Sequence, residues 1–328
     1  MKDRLTNIDL LKVICIFSVI LLHVSSHQAF DITYNYIYNK NFSILNFYNM
    51  ITRFCVPGFI IISGMFLLDK DISLKTIFRK YVLRMVILYI VFSLIYTTLF
   101  YCKNHSINLI NTFFMGYYHL WYIYVIIGLY LVTPFLRIIV KNKQLTIYFI
   151  ILCFVFSSVI PFFIELFNIE ILRNITLNLN LHIPMGYVGY YVLGYYISKS
   201  NVNKYLVYIL GILGLVCNYI VFSTIGYQMN MYDMVFRFPT TYLYTISIFV
   251  IFKNIKIKNN KIIKYLASLT TGIYLVHLII LELLFNIYPF FIYDNCILNP
   301  VLLSLCIYVI CVFITVFLKS IPFIKKII

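Results

Sequence analysis

Apolar residues fill long stretches of this chain, and polar residues gather between them. A run of about 20 apolar residues is long enough to cross a bilayer as a helix. Ten such runs are legible: 8–26, 47–68, 81–101, 119–138, 145–164, 183–199, 205–222, 234–252, 265–286 and 299–318. The run 183–199 is the shortest. No internal repeat, low-complexity linker or inverted half is visible. The pattern predicts an all-α polytopic membrane bundle of about ten transmembrane helices, forming one domain over 1–328.

The basic residues set its orientation. Alternate connections carry Lys2 and Arg4; Lys70, Lys75, Arg79, Lys80 and Arg84; Arg137, Lys141 and Lys143; Lys199 and Lys204; Lys253, Lys256, Lys258, Lys261 and Lys264; and Lys319, Lys325 and Lys326. That is 20 residues, against Lys40, Lys103 and Arg173 on the opposite connections. Positive charge marks the cytoplasmic side, so both termini are expected there, in a multi-pass cytoplasmic membrane protein.

Composition agrees. The chain is 63% hydrophobic and 11% charged, with mean hydropathy +0.95; soluble domains average about 25% charged residues. The net charge of +16 lies in short loops between spans, which argues for a bilayer and against nucleic acid as partner. Lys2 and Arg4 precede an apolar run as in a signal peptide. That run holds Asp9, Lys12 and His23 and has no small-x-small cleavage site, so it reads as a retained helix. Six of the eight cysteines, Cys15, Cys55, Cys153, Cys217, Cys306 and Cys311, fall in apolar runs and are expected to pack as small hydrophobes. Cys102 and Cys296 both belong to the outer side, and sequence alone does not decide whether they pair.

Beyond the basic residues already counted with the connections, few ionisable residues lie within spans: Asp9, Lys12, Arg53, Arg237, His23, His277 and Glu282, with His119 at a span's edge. Ionisable groups at membrane depth are costly and mark candidate sites. His23 lies eleven positions after Lys12, about three turns plus 20°, so both leave one helix on the same side, roughly 16 Å apart. Asp9 is three residues before Lys12, within pairing reach. A neutral imidazole here could take a proton from a hydroxyl; equally, Lys12 could snorkel and His23 bond a neighbouring helix. His27 follows His23 at a spacing that suits metal ligands, but no further ligands cluster, so no metal is expected.

Other segments carry weaker signals. Pro57 in Arg53-Phe-Cys-Val-Pro57 can free backbone groups, and Ser63-Gly64 permits close helix contact; Arg53 needs an anion or a wet cavity. Lys75, Arg79, Lys80 and Arg84 could hold phosphates or simply set topology. His119-Leu-Trp121-Tyr122-Ile-Tyr124 suits an aromatic belt or an acceptor-binding surface. Thr271-Gly272-Ile-Tyr274-Leu-Val-His277, with Glu282, could line a cavity or bridge helices.

Together these segments resemble the acyltransferase 3 family of integral membrane acyltransferases. Its first helix has a basic residue, ten intervening residues and a histidine, as Lys12 and His23 do behind Arg4…Ile8-Asp9-Leu-Leu-Lys12. Arg53…Pro57…Ser63-Gly64 looks like its second helix. His119-Leu-Trp121-Tyr122…Tyr130…Pro134 looks like its fourth, and Gly272-Ile-Tyr274-Leu-Val-His277 like its penultimate one. The resemblance implies an O-acyltransferase that moves an acyl group, by family habit acetyl, from cytoplasmic acyl-CoA to a hydroxyl at or beyond the outer face. Surface carbohydrate or a lipid-linked sugar is the implied acceptor.

On this reading acetyl-CoA is the donor and no metal takes part. His23 is the base or a transient acyl carrier, with Asp9 and Lys12 setting local charge. Arg53, Arg79, Lys80 and Arg84 serve the donor. His119, Trp121, Tyr122, Arg237, His277 and Glu282 serve the acceptor, and Arg53 or Arg237 steadies an anion. The family often carries Arg-x-x-Arg at its third helix; here the pattern is Arg79-Lys80-x-x-x-Arg84. Some members continue into an extracytoplasmic hydrolase-like domain, whereas this sequence ends ten residues past its last apolar run. A stand-alone enzyme, a homo-oligomer or a separate extracytoplasmic partner all fit. A transporter or flippase for a lipid-linked saccharide would use the same buried charges without consuming acyl-CoA. A non-catalytic membrane subunit would tolerate loss of Lys12 and His23.

Overall fold

The computed structural model describes residues 5–26, 40–103, 105, 108–179, 186–226, 235–288 and 291–328. Lys2, Arg4 and His27 lie outside them. Among the described residues there is no strand. The main helices are α1 Thr6–Ser26, α2 Lys40–Thr52, α3 Cys55–Leu67, α4 Leu83–Lys103, α5 Trp121–Ile139, α6 Lys143–Phe154, α7 Val188–Lys199, α8 Lys204–Val221, α9 Pro239–Asn254, α10 Lys261–Ile287 and α11 Asn299–Ser320. The chain is a polytopic bundle of membrane helices. Among the described residues, eight helical stretches are long and apolar enough to span a membrane, with α2 and α3 acting as one span and α6 continuing to Phe167. The other two expected spans correspond to α7 and α9, which are shorter, at 12 and 16 residues.

Helix α1 is central. It packs against α2, α3, α9, α10 and α11, and Ile16, Ile20, Cys15 and Val24 are fully enclosed. This explains how it keeps ionisable residues: most of its surface meets protein, where polar partners exist.

Helix α7 is short yet held tightly. A side chain added at Gly64 of α3 would meet the backbone carbonyl of Tyr191, and one added at Gly194 of α7 would meet that of Ile61. The two helices therefore touch backbone to backbone through reciprocal glycines, the small-residue contact that replaces the hydrophobic effect inside a membrane. Gly211 and Gly214 of α8 also let α9 approach closely, facing the Ser247 side chain and the Thr240 carbonyl.

One end of the bundle collects the basic connections. Arg137 donates to the carbonyls of Leu67 and Ile72. Lys253 donates to those of Ile197 and Ser200 at 2.7 and 2.8 Å. Arg84 donates to those of Ile327 and Ile328, both at 2.7 Å, and Lys199 pairs with Asp69 at 2.7 Å. Helix C-termini end in unpaired carbonyls and partial negative charge, so cations are stabilising there. Asn7, at the start of α1, joins this end by donating to Phe252 O at 2.9 Å.

The cysteines divide. Cys15, Cys55, Cys153 and Cys311 are buried, as small hydrophobes would be, but Cys217 and Cys306 are exposed on the bundle surface. Cys102 is exposed and Cys296 is buried.

Candidate active site

The span α2–α3 breaks at Arg53 and Phe54. Pro57 falls in the first turn of α3, where its missing N–H leaves no bond unmade. The break holds Arg53 in a buried turn. Its Nε and a terminal guanidinium nitrogen donate to Asn49 Oδ1 at 2.9 and 2.6 Å. Its guanidinium carbon lies 4.8 Å from the centre of the Phe236 ring. The cation is thus fixed without being exposed to lipid.

Beside it lies a cavity of about 370 Å³, lined by residues of α1, α3, α4, α5 and α10. Its wall at the Arg53 end carries His23, Ser26, Tyr118, His119, Trp121 and Phe236. Towards the basic end the wall continues through Phe59, Ser63, Met85, Tyr130, Thr270 and Thr271. Trp121 stacks on Tyr187 with centroids 5.6 Å apart and meets Phe236 at 5.9 Å. Tyr122 meets Tyr274 at 5.6 Å. These rings make a firm aromatic wall rather than a belt facing lipid.

Three histidines converge at this end. The His23 ring lies 5.3 Å from His277 and 5.3 Å from Tyr118, and His277 lies 5.3 Å from His119. His119 and His277 are buried, at 2% and 0% exposure. His277 Nδ1 is 2.7 Å from Tyr274 O, and the Tyr274 hydroxyl donates to His119 O. Among the described residues, no group of three or more His, Cys, Asp or Glu side chains could hold a metal ion.

The remaining expected residues are distributed unevenly. Lys12 pairs with Asp9 at 3.2 Å and lies 5.1 Å above the Phe66 ring. Phe59 and Ser63 line the cavity, and Phe66 continues their row on α3 about one turn further on. The Asp9–Lys12 pair therefore sits just beyond the cavity floor, not in its wall. Arg79 and Lys80 are exposed in a π-helical turn, Ile77–Val82, ahead of α4. Arg84 is engaged with Ile327 and Ile328 as described. Arg237 does not line the cavity, but its neighbour Phe236 does. On the 3₁₀ turn Val235–Arg237 successive side chains point about 120° apart. Glu282 accepts from the Tyr117 hydroxyl at 3.0 Å. It lies five residues past His277, about 140° around α10, so it cannot share the His277 face.

Asn49, Tyr118 and Phe236 are site residues that sequence reasoning missed. Asn49 carried a readable signal, since it precedes Arg53 by four residues, one helical turn. Phe236 carried none, because an apolar residue in an apolar run has no mark of its own.

No curated protein and no solved structure matches the chain. A family model for an acyltransferase domain, that of acyltransferase 3, matches residues 5–320. With the helical bundle and nearly the whole length covered, the chain belongs to the acyltransferase 3 family of membrane acyltransferases.

Proposed function

We propose that this enzyme is an O-acyltransferase that uses acyl-CoA, with acetyl-CoA the simplest donor, and acylates a hydroxyl of a surface or lipid-linked glycan. The observation that carries this reading is the cavity itself. It joins His23, the buried Arg53 and a wall of aromatic rings at one end, and runs towards the basic end of the bundle.

By the positive-inside rule the basic end, with both termini, faces the cytoplasm. The donor's phosphates are held there by Arg79 and Lys80, and by Arg84 when it exchanges the Ile327 and Ile328 carbonyls for phosphate oxygens. The thin pantetheine arm passes the Asp9–Lys12 pair into the cavity. That path matches the roughly 16 Å rise from Lys12 to His23, and the thioester arrives at His23. The sugar enters from the outer side against Trp121 and Tyr122, since flat rings suit the apolar faces of a saccharide. His119 and His277 border that acceptor end; Arg237 and Glu282 support it from behind.

His23 takes the proton from the acceptor hydroxyl as its oxygen bonds to the thioester carbon. Arg53 steadies the negative charge that develops on the carbonyl oxygen. The carbon–sulfur bond then breaks, and the CoA thiolate takes the proton back from His23.

Mass spectrometry of surface glycans, with and without the protein, tests the activity. An added acyl mass that depends on the protein supports it. Transport of a saccharide with no release of free CoA would establish the flippase alternative instead.

A further inference from the structure

Three buried nitrogen atoms beside His23 have no hydrogen-bond partner: Nε2 of His277 and both ring nitrogens of His119. An unmade bond on a buried polar group costs about 1–3 kcal/mol, and such groups in a folded protein call for an explanation. Packing does not supply one. A leucine or phenylalanine would fill the space at position 277 without leaving a polar atom unpaired.

The geometry defines the chemical state of His277. A carbonyl oxygen only accepts, so the 2.7 Å contact to Tyr274 O requires the proton on Nδ1. In the neutral ring Nε2 is then a bare lone pair. Tyr274 is itself anchored through its hydroxyl to His119 O, so the carbonyl that fixes His277 is held between two elements. The His277 ring lies 5.3 Å from that of His23, centre to centre, tilted by 36°. Catalytic hydrogen bonds are often unclosed before substrate binds and tighten in the reacting complex.

We propose that His277 is a positioning residue for His23. When His23 takes the acceptor's proton on the nitrogen facing the cavity, it becomes an imidazolium, and the N–H it already carried on its other nitrogen becomes a stronger donor. His277 Nε2 accepts that N–H, directly after a small ring rotation or through one water. The proton between the two rings stays on His23. The proton on the cavity side passes to the departing CoA sulfur, and His23 returns to neutral. The arrangement follows the logic of a base oriented by a third group, with a neutral imidazole held by a backbone carbonyl in place of a carboxylate. It rests on the reading of His23 as the base.

The test uses the purified full chain in liposomes, with acetyl-CoA and the acylated glycan as readouts. His277→Ala is expected to lower kcat about 100-fold, the lower range for an acid–base contribution, with the acetyl-CoA KM within about twofold. Free imidazole in the medium restores a tenth or more of the lost rate by occupying the vacated space. His277→Gln keeps much of the volume and an amide oxygen that can accept the N–H, so it is expected to retain more of kcat than His277→Ala, and its thermal midpoint shows whether the fold is intact. A near-normal kcat in His277→Ala overturns the proposal. So does a folded His277→Ala that is slow and gains nothing from imidazole, since that marks a structural role. His23→Ala separates the two claims: if it is inactive while His277→Ala is normal, only the positioning role fails, and if it is active, the His23 reading fails first.

Discussion

The two ends of the cavity treat their polar groups in opposite ways. At the basic end the cations are matched: Lys12 with Asp9, Lys199 with Asp69, and Arg84, Arg137 and Lys253 with helix-terminal carbonyls. At the histidine end, buried nitrogens of His119, His277 and Asn49 go unpaired. The first arrangement stabilises the bundle, because each charge cancels an exposed carbonyl or carboxylate. The second costs stability and leaves groups ready for something that is not part of the chain. Around this cavity the matched groups belong to the architecture, and the unmatched ones sit where the chemistry is proposed.

Five substitutions can break or sharpen that contrast. Gly64→Val has the largest expected effect, since its side chain would occupy the place of the Tyr191 carbonyl. A loss of about 3 kcal/mol or more should appear as a fall in thermal midpoint and loss of the monodisperse peak, and Gly194→Val should behave alike. Arg53→Met removes a charged partner of Asn49 and the cation of the site. A charged hydrogen bond is worth about 1.5–3 kcal/mol, so glycan acylation should fall roughly 10- to 100-fold, with a smaller loss of stability.

Arg84→Ala should raise the acyl-CoA KM about tenfold and lower the thermal midpoint, because one guanidinium serves both the strap at Ile327–Ile328 and, on our reading, the donor. Lys80→Ala is the mildest. Its charge is exposed, so the KM should rise only two- to threefold at low salt, and the difference should vanish in about 0.5 M salt. If Lys80 proved as sensitive as Arg53, the division between the two ends would fail.

Much of this was legible in the sequence. Long apolar runs and the one-sided basic loops predict a helical membrane bundle, because hydrocarbon tolerates little else. The pairing of Asp9 with Lys12, three residues apart, follows from the helical repeat. What was not legible came from contacts across the chain. That Gly64 and Gly194 would meet, or that Phe236 rather than Arg237 would enter the cavity, depends on how distant helices dock. The convergence of His23, His119 and His277 from three separate elements is of the same kind. Each was a lone polar residue in sequence, and only the fold makes them a group. Likewise, Arg84 looked like a free phosphate ligand until the fold brought Ile327 and Ile328 to it.

The account stands on His23, and the release of free CoA thiol tests it most directly. Purified protein in liposomes, given acetyl-CoA and the glycan acceptor, should release CoA in step with acylated product, and His23→Ala should reduce that release about 100-fold or more while keeping its thermal midpoint. Release at near wild-type rate by a folded His23→Ala variant would contradict the account.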